Sequence, residues 1–241
     1  MDIPELEAGM PVTEWLVWQL ADSALPVGGF AHSGGLEAAW QHGEVRNRTE
    51  LASFLEASLD QVRHGALPLV MAGYDEPSKL AQLDALSDVF LTNHVANRAS
   101  RLQGKAFLAA LNRIFFNAAS TERSSQALPN NGFHIDRSLQ LPFSHFNPVF
   151  GACLRQLEVA SSCVARLFVF QHLRSLLAAA VRLGILGPMD AQALQFSLST
   201  QAQALCAPGS IPPVSELSQT SPLLDLWQGA HDRLYSRLFQ S

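Results

Sequence analysis

Residues 31–35 read A-H-S-G-G, one residue away from the G-x-S-x-G turn that presents a nucleophilic serine, with Ala31 in place of the first glycine. That turn works only between a buried strand and a helix of an α/β sheet. Here the residues before it read as a helix followed by L-P-V-G-G. The pattern therefore predicts that Ser33 caps a helix N-terminus, while Gly28 and Gly29 take backbone angles other residues avoid. A phosphate cradle is not predicted, because Gly104-Lys105 lacks the upstream glycine and the Ser/Thr of a P-loop. The eight histidines include no pair at i, i+3 or i, i+4, and Cys153, Cys163 and Cys206 form no C-x-x-C. No local motif therefore points to a metal centre, although a site assembled from distant residues leaves no such mark. Widely spaced cysteines fit reduced thiols in a cytoplasmic protein.

The bulk properties point away from several classes of function. Charged residues are 15% of the 241, against roughly a quarter in typical soluble domains. Such a surface is expected to carry an extended protein interface. The net charge of −5 and the absence of a basic block argue against nucleic acid as a partner. The start, MDIPELEAGMPV, reads as neither a signal nor a transit peptide. In CVARLFVFQHLRSLLAAAVRLGIL, residues 163–186, Arg166, Arg174 and Arg182 interrupt the apolar run. It is read as a buried central helix, not a membrane span.

The patterning is helical from end to end, with no strand alternation. It predicts an all-α, single-domain bundle of about ten helices. Helices are expected at 14–23 and 35–43, from Thr49, at 68–74, from Ser78, and from His94 through a long basic-faced segment. They resume at Pro148 after a polar loop at 120–140, and DAQALQFSLSTQAQALC reads as one helix. The proline-rich residues 207–222 lead to a final amphipathic helix in which Trp227, Leu234 and Leu238 share a face. This divides the chain into a body at 1–206 and a linker with a docking arm at 207–241. The arm either packs on its own body or docks in a partner's groove. Arg98, Arg101 and Lys105 share one helix face and suggest an acidic partner.

Taken in order, L-A-D-S-A-L-P-V-G-G-F-A-H-S-G-G-L-E, N-R-A-S-R-L-Q-G-K-A, H-F-N-P-V-F-G, R-L-F-V-F-Q-H-L-R-S-L-L-A-A-A-V-R-L-G-I-L-G-P, Q-T-S-P-L-L-D and S-R-L-F-Q-S resemble the UreF family of urease accessory proteins, in its eukaryotic form. The resemblance implies a non-enzymatic, homodimeric, cytoplasmic maturation chaperone. Such a protein bridges a UreD/UreH-type accessory protein and the GTPase UreG, and supports GTP-dependent nickel insertion into apo-urease. No cofactor is expected to stay bound, and nickel is handled by the assembled complex.

Carried over residue by residue, Pro26, Gly28, Gly29, Phe30, His32, Ser33, Gly35 and Glu37 stand in the N-terminal signature. Arg98, Arg101, Gln103 and Gly104 stand in the middle block, and Arg174 in the central helix. Ser221, Pro222, Leu223, Leu224, Asp225, Arg237, Leu238 and Phe239 stand in the tail, expected at the UreD/UreH contact. The chain departs from the family at Gly34, where a bulky residue is common, and at Phe170-Gln171-His172-Leu173. Two other chemistries stay open: a serine hydrolase using Ser33 with His32 or His64, and a direct nickel carrier using His32 or a histidine on a dimer axis.

Overall fold

The structure is a computed structural model that describes residues 12–25, 31–116 and 141–241. Among the described residues it is all-α, with no strand. Pro26, Gly28, Gly29, Phe30 and the polar stretch at 120–140 lie outside the described residues. The helices are α1 (Val12–Ala21), α2 (Leu36–Gln41), α3 (Arg48–Gln61), α4 (Leu67–Asp75), α5 (Leu80–Phe90) and α6 (His94–Leu111). After the undescribed stretch come α7 (Phe146–Gln156), α8 (Ser161–Arg182), α9 (Pro188–Ser197), α10 (Ser199–Leu205) and α11 (Pro222–Ala230).

Helices α4 and α7 cross at the centre of the bundle. The crossing is close because both carry glycine at the contact. A methyl group on Gly73 would run into the Pro148 carbonyl, and one on Gly151 into the Val70 carbonyl. Beside it, Phe107, Phe146, Phe150 and Phe168 meet with ring centroids 5.3–5.9 Å apart. Such offset and edge contacts add to the gain from burial. Helix α8 supplies Val164, Leu167, Phe168, Leu173, Leu176 and Leu177 to the same core. It is the one helix among the described residues long and apolar enough to cross a membrane, but 56% of its most apolar window is buried inside this fold.

Several boundaries differ from the sequence reading, each for a local reason. Asn47, not Thr49, opens α3, and its side chain accepts from the N–H groups of Thr49 and Glu50. That satisfies two of the donors a helix start leaves over. Between α3 and α4 the rod widens into a π turn at Val62–Ala66. Pro68 has no N–H for the carbonyl of His64, and the Ser218 N–H takes that carbonyl instead, at 3.2 Å. The stretch expected as one helix from Asp190 to Cys206 is two, α9 and α10, parted at Leu198. There the Ser197 hydroxyl turns back to the Leu194 carbonyl, a local bond that competes with helix continuation.

The largest difference is at the end of the chain. The helix expected to run to Ser241 stops at Ala230, and a 3₁₀ turn at His231–Arg233 follows. Leu234 is then extended, with φ −66° and ψ 136°. The side-chain face predicted from Trp227, Leu234 and Leu238 does not form. Phe239 is buried instead, while Tyr235 and Leu238 are exposed. The reason lies in what receives this tail.

Candidate functional site

The tail returns to the signature segment. Gly34 and Gly35 form a left-handed turn, φ 59° and 90°, that launches α2. A side chain on Gly35 would press on the backbone of Leu224 and Gln228 in α11. Only glycine meets both demands at no steric cost. The turn places Glu37 in the first turn of α2, where a helix favours a negative charge, and buries it completely.

Glu37 is the seat of the tail. Its carboxylate accepts from the N–H of Leu238 (2.6 Å) and of Phe239 (3.2 Å), and pairs with His231 Nε2 at 3.0 Å. Charge-assisted bonds of this kind offset the cost of burying a carboxylate. Backbone pairing continues outward. Ala31 accepts from the Gln240 N–H (2.8 Å), and the Ser241 main-chain oxygen accepts from the Ser33 N–H (2.6 Å). The Arg182 guanidinium lies 4.3 Å from the Phe239 ring centroid and donates to the Leu238 carbonyl. Gln41 donates to the Ser236 carbonyl at 2.9 Å.

Ser33 therefore does not cap α2, which has no side-chain cap. It is buried, and its hydroxyl donates to the Ser241 main-chain oxygen at 3.2 Å. Its nearest candidate base, His32, bonds the Ser241 hydroxyl through Nδ1 at 2.5 Å. His64 sits on the π turn, bonded to the Asp60 carbonyl. Among the described residues no serine–histidine pair is assembled at Ser33. Burial, with the charges of His231 and Arg98 nearby, holds His32 below the ordinary histidine range, so it is neutral at pH 7.

The basic face of α6 meets the same tail. Asp232 takes both guanidinium nitrogens of Arg98 (2.8 and 3.2 Å), and it also faces His94 (3.2 Å) and Arg237 (3.4 Å). The bond from Arg98 holds its carboxyl below the usual range. Arg101 turns elsewhere, to Asp88 at 3.8 Å and over the Phe143 ring at 5.0 Å. Gly104 is buried where α6 touches residues 144–146. Gln103 lines a partly open cavity of about 260 Å³, shared with His32, His172, Arg174 and Gln228. His172 is pushed down to about 4 by burial and bonds the Ser58 hydroxyl. Arg174 donates to the Ala21 carbonyl, tying α8 to α1. Among the described residues no three His, Cys, Asp or Glu side chains gather closely enough to hold a metal ion.

The segment before α11 is stapled along α3. Gln61 Oε1 accepts from the N–H groups of Thr220 and Ser221, and the Ser221 hydroxyl donates to the Ala57 carbonyl. Pro222 starts α11. Asn93 donates to the Asp225 carbonyl at 2.6 Å, and burial raises the Asp225 carboxyl. Leu224 packs inward while Leu223 is exposed.

The structure thus brings together His32, Ser33, Gly35, Glu37, Arg98, Arg237, Leu238 and Phe239, with α11 close by. Arg101 and Gly104 lie apart from that seat, whereas Gln103 and Arg174 border it through the cavity they share with His32. Sequence reasoning missed His231 and Asp232, which anchor the tail, and Asp84, which anchors another segment. Asp84 accepts from the N–H groups of Phe143, Ser144 and His145 at 2.6–3.0 Å. The available signal was a carboxylate on an apolar helix face. Asp84 follows Leu80 and Leu83 at helical spacing, and Glu37 lies between Leu36 and Ala38.

Comparison with known proteins places this arrangement. The family model described as UreF matches residues 45–199. The chain is 37% identical over 232 residues to "Urease accessory protein F" of Arabidopsis thaliana, covering 95% of this chain and 92% of that one. It is 30% identical over 239 residues to "Uncharacterized urease accessory protein UreF-like" of Schizosaccharomyces pombe, 92% and 94% of the two chains. "Urease accessory protein UreF" of Rhizobium etli is 26% identical over 242 residues, 98% of each.

Proposed function

This chain belongs to the UreF family of urease accessory proteins, and from that membership we propose that it is the non-catalytic bridge of a urease-maturation complex. A role in urease maturation follows from the family itself. The finer reading is that one face takes a UreD/UreH-type accessory protein and another takes the GTPase UreG. The assembly then supports GTP-dependent insertion of nickel into apo-urease in the cytoplasm. Nickel is cargo of the complex in this reading, and nucleotide chemistry belongs to the GTPase. The observation that carries the proposal is the likeness to proteins named as urease accessory factors over more than nine-tenths of the chain.

The tail supports the choice of docking face. Tyr235 is fully exposed and Leu238 more than half so, on a segment that Glu37 fixes by its main chain. A segment held by its backbone leaves its side chains free to be read by a partner. Leu223 and Leu226, exposed on α11, extend the same surface toward the UreD/UreH-type partner. The homodimer is assigned to a different face, where α8, α9 and α10 leave a cleft of about 470 Å³ bordered by Arg166, Phe170 and Phe196. Phe196 and Met189 are about four-fifths exposed. Apolar side chains grouped in this way mark an interface in a chain so short of charge.

The test is co-purification with a UreD/UreH-type protein and UreG, using the full chain and one ending before Gln219. Capture by the full chain alone supports the tail as docking arm. Failure of both, although folded, removes the bridging reading. A Phe196→Asp variant that still sediments as a dimer removes the assignment of the second face.

A further inference from the structure

Helix α1 carries two tryptophans that the fold does not use. Trp15 and Trp18 are 65% and 58% exposed, with ring centroids 6.1 Å apart at a tilt of 50°. Large aromatic rings are normally buried, so a paired exposed set needs a reason. Beside Trp18 the surface opens into a cleft of about 220 Å³ between α1 and the turn from α7 to α8. It is bordered by Glu14, Val17, Trp18, Glu158, Val159 and Cys163. Glu14 and Trp18 stand one helical turn apart on the same face.

The two carboxylates are the second observation. Both are exposed, and among the described residues neither has a side-chain hydrogen bond or an ion-pair partner. Glu158 is held there under strain. It closes α7 with φ +58°, while its N–H reaches Arg155 and that of Val159 reaches Leu154. This is the helix-ending motif whose left-handed position usually belongs to glycine. A side chain at that position costs the fold stability, and among the described residues no side-chain hydrogen bond or ion pair of Glu158 offsets it. Arg155, three residues before Glu158, lies over the Tyr74 ring at 5.2 Å, and the sequence around Glu14 offers no cation. Residues 1–45 carry seven Asp and Glu and no Lys or Arg; the first is Arg46.

We propose that this cleft binds an arginine of a protein partner, with the guanidinium stacked on Trp18 and paired with Glu14 and Glu158. A planar cation suits an indole face and donates from its edges to two carboxylates. The excess of carboxylates along this end of the chain repels anionic surfaces and steers basic segments toward it. The site lies on α1 and the α7–α8 turn, elements separate from the seat of the tail, and the proposal does not depend on the bridging role.

The experiment titrates the full chain with a blocked Arg-Gly-Arg-Gly-Arg peptide by calorimetry. Its lysine counterpart and tetramethylammonium serve as comparisons. Saturable binding is expected, weaker for the lysine peptide. Trp18→Ala should weaken it at least 10-fold and Glu14→Gln about 3-fold, while Glu56→Gln on α3 leaves it unchanged. Bound peptide should also slow alkylation of Cys163, at the border of the cleft. The sharpest variant is Glu158→Gly. It should raise the unfolding midpoint by relieving the backbone while weakening peptide binding, so loss of binding cannot be blamed on loss of fold. Binding that survives Trp18→Ala, or falls equally with Glu56→Gln, is general attraction to an acidic chain and overturns the proposal. Binding of tetramethylammonium without the peptide overturns it in favour of a small ammonium ligand. Self-association abolished by Trp18→Ala would give the cleft to a second copy and overturn it as well.

Discussion

Two buried carboxylates hold two loops in this molecule by the same chemistry and to different ends. Asp84 on α5 gathers three successive backbone N–H groups at residues 143–145. Glu37 on α2 gathers those of Leu238 and Phe239 and the ring of His231. Each is fully buried, and each is backed by a histidine network. His145 bridges Ser100 and Asp88 at 3.2 and 3.1 Å, and His231 faces Glu37. The difference lies in where each captured segment leads. Residues 143–145 run directly into α7 and the phenylalanine core, so their release would take the core apart. The tail lies over the body and buries Phe239 and Ser241 at its end while Tyr235 and Leu238 stay exposed, so its release would uncover one edge of the core and leave the phenylalanine cluster standing. One carboxylate fixes the fold, whereas the other fixes a surface.

That contrast is open to direct test, and Asp84→Ala should have the largest effect. It leaves three N–H groups unpaired beside the core, at a cost of about 3–5 kcal/mol. The urea midpoint of the whole chain should fall in a single transition. A variant with an unchanged midpoint would remove the distinction at its stronger end.

Glu37→Ala should act locally. The freed N–H groups can find water by lifting off the body, at the cost of uncovering Phe239, so the loss should be about 2–3 kcal/mol, below that of Asp84→Ala. Cleavage by trypsin after Arg233 and Arg237 should speed up at least 10-fold, since exposure of the tail now precedes cutting. Global unfolding to the same degree as Asp84→Ala would show that the tail belongs to the core after all.

Much of this architecture is legible in the sequence. The all-α reading and most helix positions follow from apolar residues at three- and four-residue spacing, which packing requires of any helix with a buried face. The two clasps are not. His231 bonds Glu37 across 194 positions, and periodicity carries no information about such distances. The tail misleads for the same reason. Trp227, Leu234 and Leu238 have good helical spacing, but an extended strip gives the Leu238 and Phe239 N–H groups to Glu37, whereas a helix would have kept them. The basic residue Arg98 does meet an acidic partner. Its counter-charge comes from the chain's own Asp232, which spacing alone does not reveal. Gln61 and the π turn show the same limit at shorter range, because Pro68 announces a free carbonyl at His64 but not its partner, Ser218.

Acid should weaken both clasps, by a smaller amount. Burial lowers His145 beside Asp84 and His32 beside the tail, and it pushes His172 to about 4. A histidine lowered in the folded state binds its proton mainly when unfolded. These groups therefore contribute full stability above the unfolded value near 6.5. They lose it as pH falls toward their folded values. The urea midpoint should stay level from pH 8 to 7 and decline from about 6.5 to 4. His172→Asn should flatten that decline if Asn can keep a bond to Ser58. A decline unchanged by the substitution would assign the acid sensitivity to His145 and His32, because the carboxylates Asp88 and Asp232, held below their ordinary value, lose theirs only below about pH 4.

The smallest effect is expected of Arg98→Ala, and it separates fixing the tail from shaping it. Arg98 is nearly half exposed where it meets Asp232, so solvent screens the pair and removing it should cost about 0.5 kcal/mol or less. Asp232 keeps His94 and Arg237 within 3.4 Å, and Glu37 still holds the main chain. Trypsin sensitivity should therefore rise only slightly, well below the Glu37→Ala value. If Arg98→Ala instead freed the tail as fully as Glu37→Ala, the surface pair and not the buried carboxylate would be the fastening. The contrast between the two clasps would then reduce to one of burial alone. If the tail stays seated while capture of UreG or the UreD/UreH-type partner falls, Arg98 acts on the surface that the clasp presents, and the carboxylate beneath it acts only on its position.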